Sequence, residues 1–206
     1  MGQPASNNSS FHSHICCLVP CAYVCLEESR GYSREQMVRG YTWAPDFYCR
    51  LFLGYLMYDL TSMLWHFKEL GDPTAIIHHV IFASMSAYVL AHSIMAFPFA
   101  WLAFCEISTP SVNLRWHLAV TDHKDGWLYL YNGMLLLALF FVSRVLLYGS
   151  GLLHLATLRD VWAGPKANPN DKWVVAAFVA GYILNLYWFR AIAKAAQRAL
   201  KRSKEA

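Results

Sequence analysis

The stretch IIHHVIFASMSAYVLAHSIMAF, running from Ile76 to Phe97, decides the fold. It carries no acid, lysine or arginine, only three histidines, and matches the roughly 20 apolar residues a helix needs to cross a bilayer. In hydrocarbon the backbone has no water to bond, so a run of this kind is helical. Pro98 closes it. Just upstream, Gly71, Asp72 and Pro73 read as a turn. Before them Phe47 to Phe67 reads as another span, interrupted by Asp59 and with Arg50 near one end. A charged stretch from Glu27 to Arg39 separates that span from a first apolar run, Ile15 to Leu26. This run is short and contains Pro20, so it needs Phe11 to His14 or a partner to cross.

Downstream, Ala100 to Ile107 is too short to cross alone. Pro110 stops its continuation, as expected for half of a broken helix. A polar loop with His117, Asp122, His123, Lys124 and Asp125 leads to Trp127 to Tyr148, rich in leucine, with Trp127 and Tyr129 as interfacial anchors. Gly149 and Gly151 loosen the chain, and Leu152 to Leu158 reads as a re-entrant or interfacial helix. A loop from Gly164 to Asp171 precedes the last span, Trp173 to Ile192. The expected fold class is therefore all-α, a polytopic transmembrane helical bundle of about six apolar segments.

Composition agrees. Of 206 residues 57% are hydrophobic and 15% charged, against about 25% charged in soluble domains. The sequence reads as one membrane domain, residues 9–193, between a polar segment 1–8 and a basic tail 194–206. Six basic residues fall between Arg190 and Lys204 and set the net charge of +4. Arg190, Lys194, Arg198 and Lys201 recur at helical spacing, so the last helix leaves the membrane with a basic stripe, and the positive-inside bias places the C-terminus in the cytosol. The basic residues flank apolar runs and form no basic face on a soluble fold, so nucleic acid is excluded as a partner. Membrane lipids are the expected partners, and the oligomeric state is not encoded legibly.

Cys16, Cys17, Cys21 and Cys25 lie in one apolar stretch without zinc-type spacing and read as reduced packing residues. The first ten residues are polar and do not form a cleavable signal peptide. The start Met1 to Ser6 matches a myristoylation pattern, which chance explains, and Asn7 and Asn8 are formal sequons that lie close to an apolar run, where the modifying enzyme would reach them poorly. The ending Arg202-Ser203-Lys204-Glu205-Ala206 loosely resembles a dibasic retrieval signal of the endoplasmic reticulum, with Arg in place of one Lys, and the plainer reading is a solvated, lipid-attracted tail.

Ionisable groups inside a span cost roughly 2.5–3.5 kcal/mol each on insertion scales, so they face the interior and mark candidate sites. Asp59, His78, His79 and Glu106 qualify. Two heptad lines, His78, Met85, His92 and His79, Ser86, Ser93, make a polar seam. Asp59, Ser62 and His66 make a second one, with Tyr55 a turn before Asp59. A histidine held by a carboxylate suits a general base, and Asp59 or Glu106 would supply the acid. Adjacent histidines point about 100° apart on a helix and share one ion poorly, so no metal is expected. Around the helix break, Glu106, Ser108, Thr109, Ser111, Asn113 and Arg115 gather. A purely structural reading has Ser108 and Thr109 bonding to the broken turn and Glu106 pairing with Arg115.

Gly71-Asp72, the pair His78-His79, and the segment Glu106-x-Ser-Thr-Pro-x-x-Asn113-x-Arg115-Trp116 resemble the TLC domain, the membrane family that includes ceramide synthases and the TRAM proteins. Ser10-Phe11-His12-Ser13-His14 resembles the segment that opens an early helix of that family, and the resemblance covers roughly Ser9 to Arg190. Relatives carry a further helix ahead of that point, so the first family helix is expected to be missing here. The resemblance implies a TLC-type bundle in the endoplasmic reticulum or a related membrane, concerned with lipid synthesis, sensing or trafficking. Ceramide synthases follow their His pair with two acids. Glu106 aligns with the first, while Thr109 stands at the second and cannot replace a carboxylate.

The leading expectation is a role in membrane lipid homeostasis, by lipid binding, sensing or trafficking, with no cofactor. His78, His79 and Glu106 are the candidate catalytic-type residues, and Asp59, Ser86, His92, Asn113 and Arg115 line an internal lipid pocket. The alternative is a ceramide-synthase-like N-acyltransferase with acyl-CoA as substrate, in which His78 or His79 deprotonates an amine or carries the acyl group and Glu106 orients it. A transporter or channel is the third reading, weakened by the lack of an inverted repeat.

Overall fold

The computed structural model describes residues 27, 30–40, 42–70 and 72–205. The expected first apolar run Ile15 to Leu26, the early segment Ser10 to His14, the four clustered cysteines and Gly71 lie outside them. Among the described residues all regular structure is helical. In chain order the helices are α1 (Arg34–Arg39), α2 (Trp43–Trp65), α3 (Phe67–Leu70), α4 (Pro73–His92), α5 (Ala96–Trp101), α6 (Thr109–Val120), α7 (Trp127–Phe140), α8 (Tyr148–Thr157), α9 (Arg159–Trp162) and α10 (Asp171–Glu205). A 3-10 segment, Leu102–Ser108, leads into α6, and a π-helical segment, Phe141–Leu147, joins α7 to α8.

Three stretches among the described residues are long and apolar enough to cross a membrane: Pro73–His92, Trp127–Thr157 and Asp171–Leu200. Helix α2 carries Asp46, Arg50 and Asp59, which lowers its hydropathy below theirs. Its ends nonetheless fit a bilayer. Trp43 and Trp65 are 65% and 83% exposed and, at 1.5 Å per residue, about 33 Å apart, close to the ~30 Å hydrocarbon thickness that interfacial tryptophans bracket. Arg50 Nε donates to Asp46 Oδ2 at 2.7 Å within the same helix, so two of the charges compensate each other near one end.

The boundaries differ from the sequence expectation in ways the caps explain. Helix α4 begins at Pro73, three residues before Ile76, because the Asp72 side chain accepts from the Thr74 N–H at 2.8 Å and Pro73 supplies a first residue that needs no partner. It ends at His92 and not at Phe97. Ser93 and Met95 both take φ near 51°, a left-handed conformation that terminates a helix. The freed Met95 N–H donates to Val38 O at 2.6 Å. His117 belongs to α6, not to the loop after it. Leu152–Leu158 is no separate re-entrant helix: its residues to Thr157 continue the long helix that begins at Trp127. Pro110 does not end a helix but sits in the first turn of α6, where its missing N–H costs nothing.

The chain divides into two compact units. Among the described residues one comprises those between 27 and 101 together with Gly151–Gly181. In it α2 packs along α4 and α5. Phe52 lies stacked near Tyr48 at 5.7 Å and edge-on to Phe99 at 5.8 Å, and Phe99 in turn meets Phe178 of α10 at 5.9 Å. Between helices in lipid the gain is van der Waals packing and hydrogen bonding, since lipid tails are as apolar as the side chains they would replace. Interlocked rings of this size supply that packing. Gly151 belongs to the same unit; a Cβ there would fall 2.5 Å from the Trp101 ring, so the indole needs the glycine.

Ion pairs fix the ends of this unit. Arg39 Nη2 donates to Asp171 Oδ2 at 2.8 Å, with the Asp171 side chain fully buried. Arg34 pairs with Asp160 and donates to Thr157 O. Asp160 is exposed, and its hydrogen bond from the Arg34 guanidinium holds its carboxyl below the ordinary value of 3.8.

Among the described residues the other unit comprises Leu102–Ser150 and residues 182–205. Its described core sets the 3-10 segment against the π segment and α6 against α7. Asn132, 2% exposed, donates through Nδ2 to Ser111 O at 2.9 Å and so joins α6 to α7. Tyr182 of α10 donates its hydroxyl to Val145 O at 3.3 Å, and a Cβ on Gly149 would sit 2.9 Å from that hydroxyl.

Candidate functional site

The polar seams of α2 and α4 meet at Asp59 and His79, while His66 and His92 are exposed. Asp59 Oδ2 lies 2.9 Å from His79 Nε2, and Tyr55, one turn earlier, sits edge-on to the His79 ring at 6.4 Å. The other ring nitrogen, Nδ1, is 2.8 Å from Ala75 O. A carbonyl oxygen only accepts, so Nδ1 carries a hydrogen and donates. The contact at Nε2 then requires one more proton, either on the imidazole, giving imidazolium and carboxylate, or on Asp59, giving a carboxyl that donates to a neutral ring. Both nitrogens are thereby committed, and His79 must release one contact before it accepts a proton from anything else.

The remaining α4 candidates separate. His78 lies beside Phe82 at 4.6 Å, and its ring stands at 86° to that of His79. Ser86 is fully buried and donates its hydroxyl to Cys49 O at 3.1 Å, a bond that pins α4 to α2. His92 is exposed, stacks on Tyr88 at 4.1 Å and lies 3.0 Å through Nδ1 from Tyr88 O. Thirteen residues beyond His79, it is about 20 Å further along the helix and does not join the Asp59–His79 pair. His66, which caps the end of α2, has its Nδ1 3.3 Å from Ser62 O.

Glu106 belongs to the other unit and has a different setting. Its partner is not Arg115 but Arg144, on the π segment, with Nη2 at 3.3 Å from Glu106 Oε1. Arg144 Nε donates to Cys105 O at 3.1 Å and to Ser108 Oγ at 2.9 Å. Nη2 also donates to Thr109 Oγ1 at 3.1 Å, and Nη1 reaches Asn185 Oδ1 of α10 at 3.5 Å. Thr109 passes its own hydroxyl hydrogen to Glu106 Oε2 at 2.6 Å, and Ser108 donates to Cys105 O at 3.0 Å. The expected back-bonding of Ser108 to the turn is therefore present, while Thr109 turns to the acid. Arg115 instead lies over the Tyr129 ring at 4.0 Å and donates to Tyr129 O at 3.3 Å. It crosses Gly133, where a Cβ would sit 2.5 Å from its Nη1. Asn113 is exposed on α6 and outside this network.

Arg144 and Asn185, 7% and 1% exposed, are absent from the residues singled out in the sequence. The signal for Arg144 was present: an arginine inside a leucine-rich run costs as much as any other intramembrane charge. The π turn that carries it has no such signal. Turns of this kind recur at functional positions, because the extra residue widens the backbone and redirects a side chain.

A model of the TLC domain matches residues 7–194. The chain is similar to TLC domain-containing protein 4 of Xenopus tropicalis, 27% identical over 77% of this chain and 64% of that protein. The human protein of the same name is 29% identical over 68% of this chain and 54% of its own length. Topoisomerase I damage affected protein 4 of Saccharomyces cerevisiae is 28% identical over 72% of this chain and 54% of that protein. The chain thus spans only about 54–64% of the length of these relatives. No solved structure matches it. A family match across nearly the whole chain, joined to helices long and apolar enough to cross a bilayer, makes this an integral membrane protein that belongs to the TLC-domain family.

Proposed function

We propose that the chain serves membrane lipid homeostasis by binding lipid at its intramembrane polar groups, without transferring an acyl chain. The observation that carries this reading is the bond from Thr109 to Glu106. Where the resemblance to ceramide synthases calls for a second acid, this sequence places a hydroxyl, and that hydroxyl donates to the one acid that remains. Glu106, paired also with Arg144, is then a fixed and compensated charge, suited to orienting a lipid headgroup or carbonyl and poorly suited to moving protons. The expected compartment is the endoplasmic reticulum, with the C-terminus cytosolic by the charge of its tail. Purified chain in mild detergent is expected to retain lipid, and His79→Ala with Glu106→Gln to alter the cellular lipid profile. A lipid-free preparation together with an unchanged profile would remove the proposal.

The Asp59–His79 pair favours a second reading, since a carboxylate that holds an imidazole is the arrangement of a general base. On that reading the chain is an acyl-CoA-dependent N-acyltransferase in which His78 or His79 deprotonates an amine. Microsomes containing the chain, given acyl-CoA and a long-chain base, would then form amide product above an empty-vector control.

A further inference from the structure

Beyond the interior groups, the last helix carries a surface of its own. Arg190, Lys194 and Arg198 fall on one exposed face of α10, and Ile183 and Tyr187, each 61% exposed, precede them on the same face. These five residues line most of a groove of about 620 Å³. Elsewhere Arg34, Arg39, Arg50 and Arg144 each hold a carboxylate, but no acid among the described residues lies within ion-pair distance of Arg190, Lys194 or Arg198. The charge of this face is left to something outside the described chain.

Depth identifies the occupant. Trp173, 72% exposed near the start of α10, marks one membrane interface. A hydrocarbon layer of ~30 Å takes about 20 helical residues, so the opposite boundary falls close to Lys194. Arg190 lies one turn inside it, where a long side chain snorkels outward. Arg198 lies one turn outside, among headgroups. Ile183 and Tyr187 sit at acyl-chain depth. Apolar contact below and unpaired cations at the phosphate level match one amphiphile.

We propose that this face of α10 binds an anionic phospholipid, its phosphate held by Arg190 and Lys194 with Arg198 beside them, and one acyl chain lying along Ile183 and Tyr187. The site stands whether or not lipid enters the interior.

Native mass spectrometry of the full chain in mild detergent tests this, with phosphatidic acid, phosphatidylcholine and inorganic phosphate as separate probes. The chain is expected to prefer phosphatidic acid to phosphatidylcholine. Each cation near a headgroup contributes about fivefold, so Arg190→Gln with Lys194→Gln and Arg198→Gln is expected to lower that preference on the order of a hundredfold. Lys194→Gln alone should lower it about fivefold, which keeps the test alive if the triple variant fails to fold, and Lys194→Arg should keep it. A preference unchanged in both Gln variants overturns the site. So does full displacement of the lipid by equimolar inorganic phosphate, since that would make it a site for a free anion.

Discussion

Glu106 and Asp59, the two carboxylates singled out in the sequence, are compensated by unlike partners. Glu106 meets a guanidinium, and both side chains are 9% exposed. Asp59 meets an imidazole, with Asp59 37% and His79 11% exposed. A guanidinium never loses its proton in a protein, so the cation of the Glu106 pair is permanent, and Ser108, Thr109 and Asn185 hold it in place. An imidazole can gain or lose a proton, and the contact between Asp59 and His79 depends on one shared proton. The first arrangement is built to stay. The second is built where a change of protonation would rearrange a contact between α2 and α4.

The strongest way to break this contrast is at Arg144. Removing one member of a buried pair strands the other, which costs about 3–5 kcal/mol, whereas removing both together is often near neutral. Arg144→Met is therefore expected to lower thermal stability in detergent by that amount, and Arg144→Met with Glu106→Leu to recover most of it. Equal losses in the single and double variants would mean that Arg144 acts through its bonds to Cys105 O and Ser108, not through Glu106.

Asp59→Asn is the gentler counterpart. An amide still bonds the ring but no longer supports an imidazolium, and Asp59 is partly exposed, so the expected loss is about 1–2 kcal/mol, toward the low end for charge-assisted bonds. The 15N chemical shifts of the His79 ring report the state directly. In the variant Nδ1 should keep its hydrogen on Ala75 O and Nε2 should carry none, accepting from the introduced amide in place of the shared proton. An Nε2 that remains protonated would show that Asp59 does not set the proton on His79.

The difference in legibility between the two pairs has a physical cause. Asp59 and His79 were readable because each lies on a helical line of polar residues in an otherwise apolar run, and two such lines in lipid must meet. The Glu106 setting was only half readable. Its acid, hydroxyls and broken helix stand out in sequence, but its partner is 38 residues away, inside a run whose average hydropathy conceals one arginine. Arg115 is the nearer cation in sequence and the partner that local spacing suggests. Gly133 gives that guanidinium a place over the Tyr129 ring instead. Helix ends were the least readable part, since the stop of α4 depends on Ser93 and on the bond from Met95 to Val38 O, which no local pattern announces.

The smallest expected effect comes from a third pair, which sharpens the contrast by standing in water. Arg34 lowers the Asp160 carboxyl below 3.8, and both side chains are more than half exposed, at 54% and 65%. A lowered folded-state value means the unfolded chain binds the proton more readily, so the contribution is present above pH 3.8 and lost as pH falls through the folded value. Solvent screening keeps it slight. Comparing thermal stability of the native chain with Asp160→Asn should show the native chain ahead at pH 6, and the gap should close in strong acid and shrink in high salt. Arg34→Gln should bring the Asp160 titration back toward 3.8. A gap that persists below the folded value would mean that Asp160 supports the α1–α9 contact through shape or a neutral hydrogen bond, and that its charge contributes nothing.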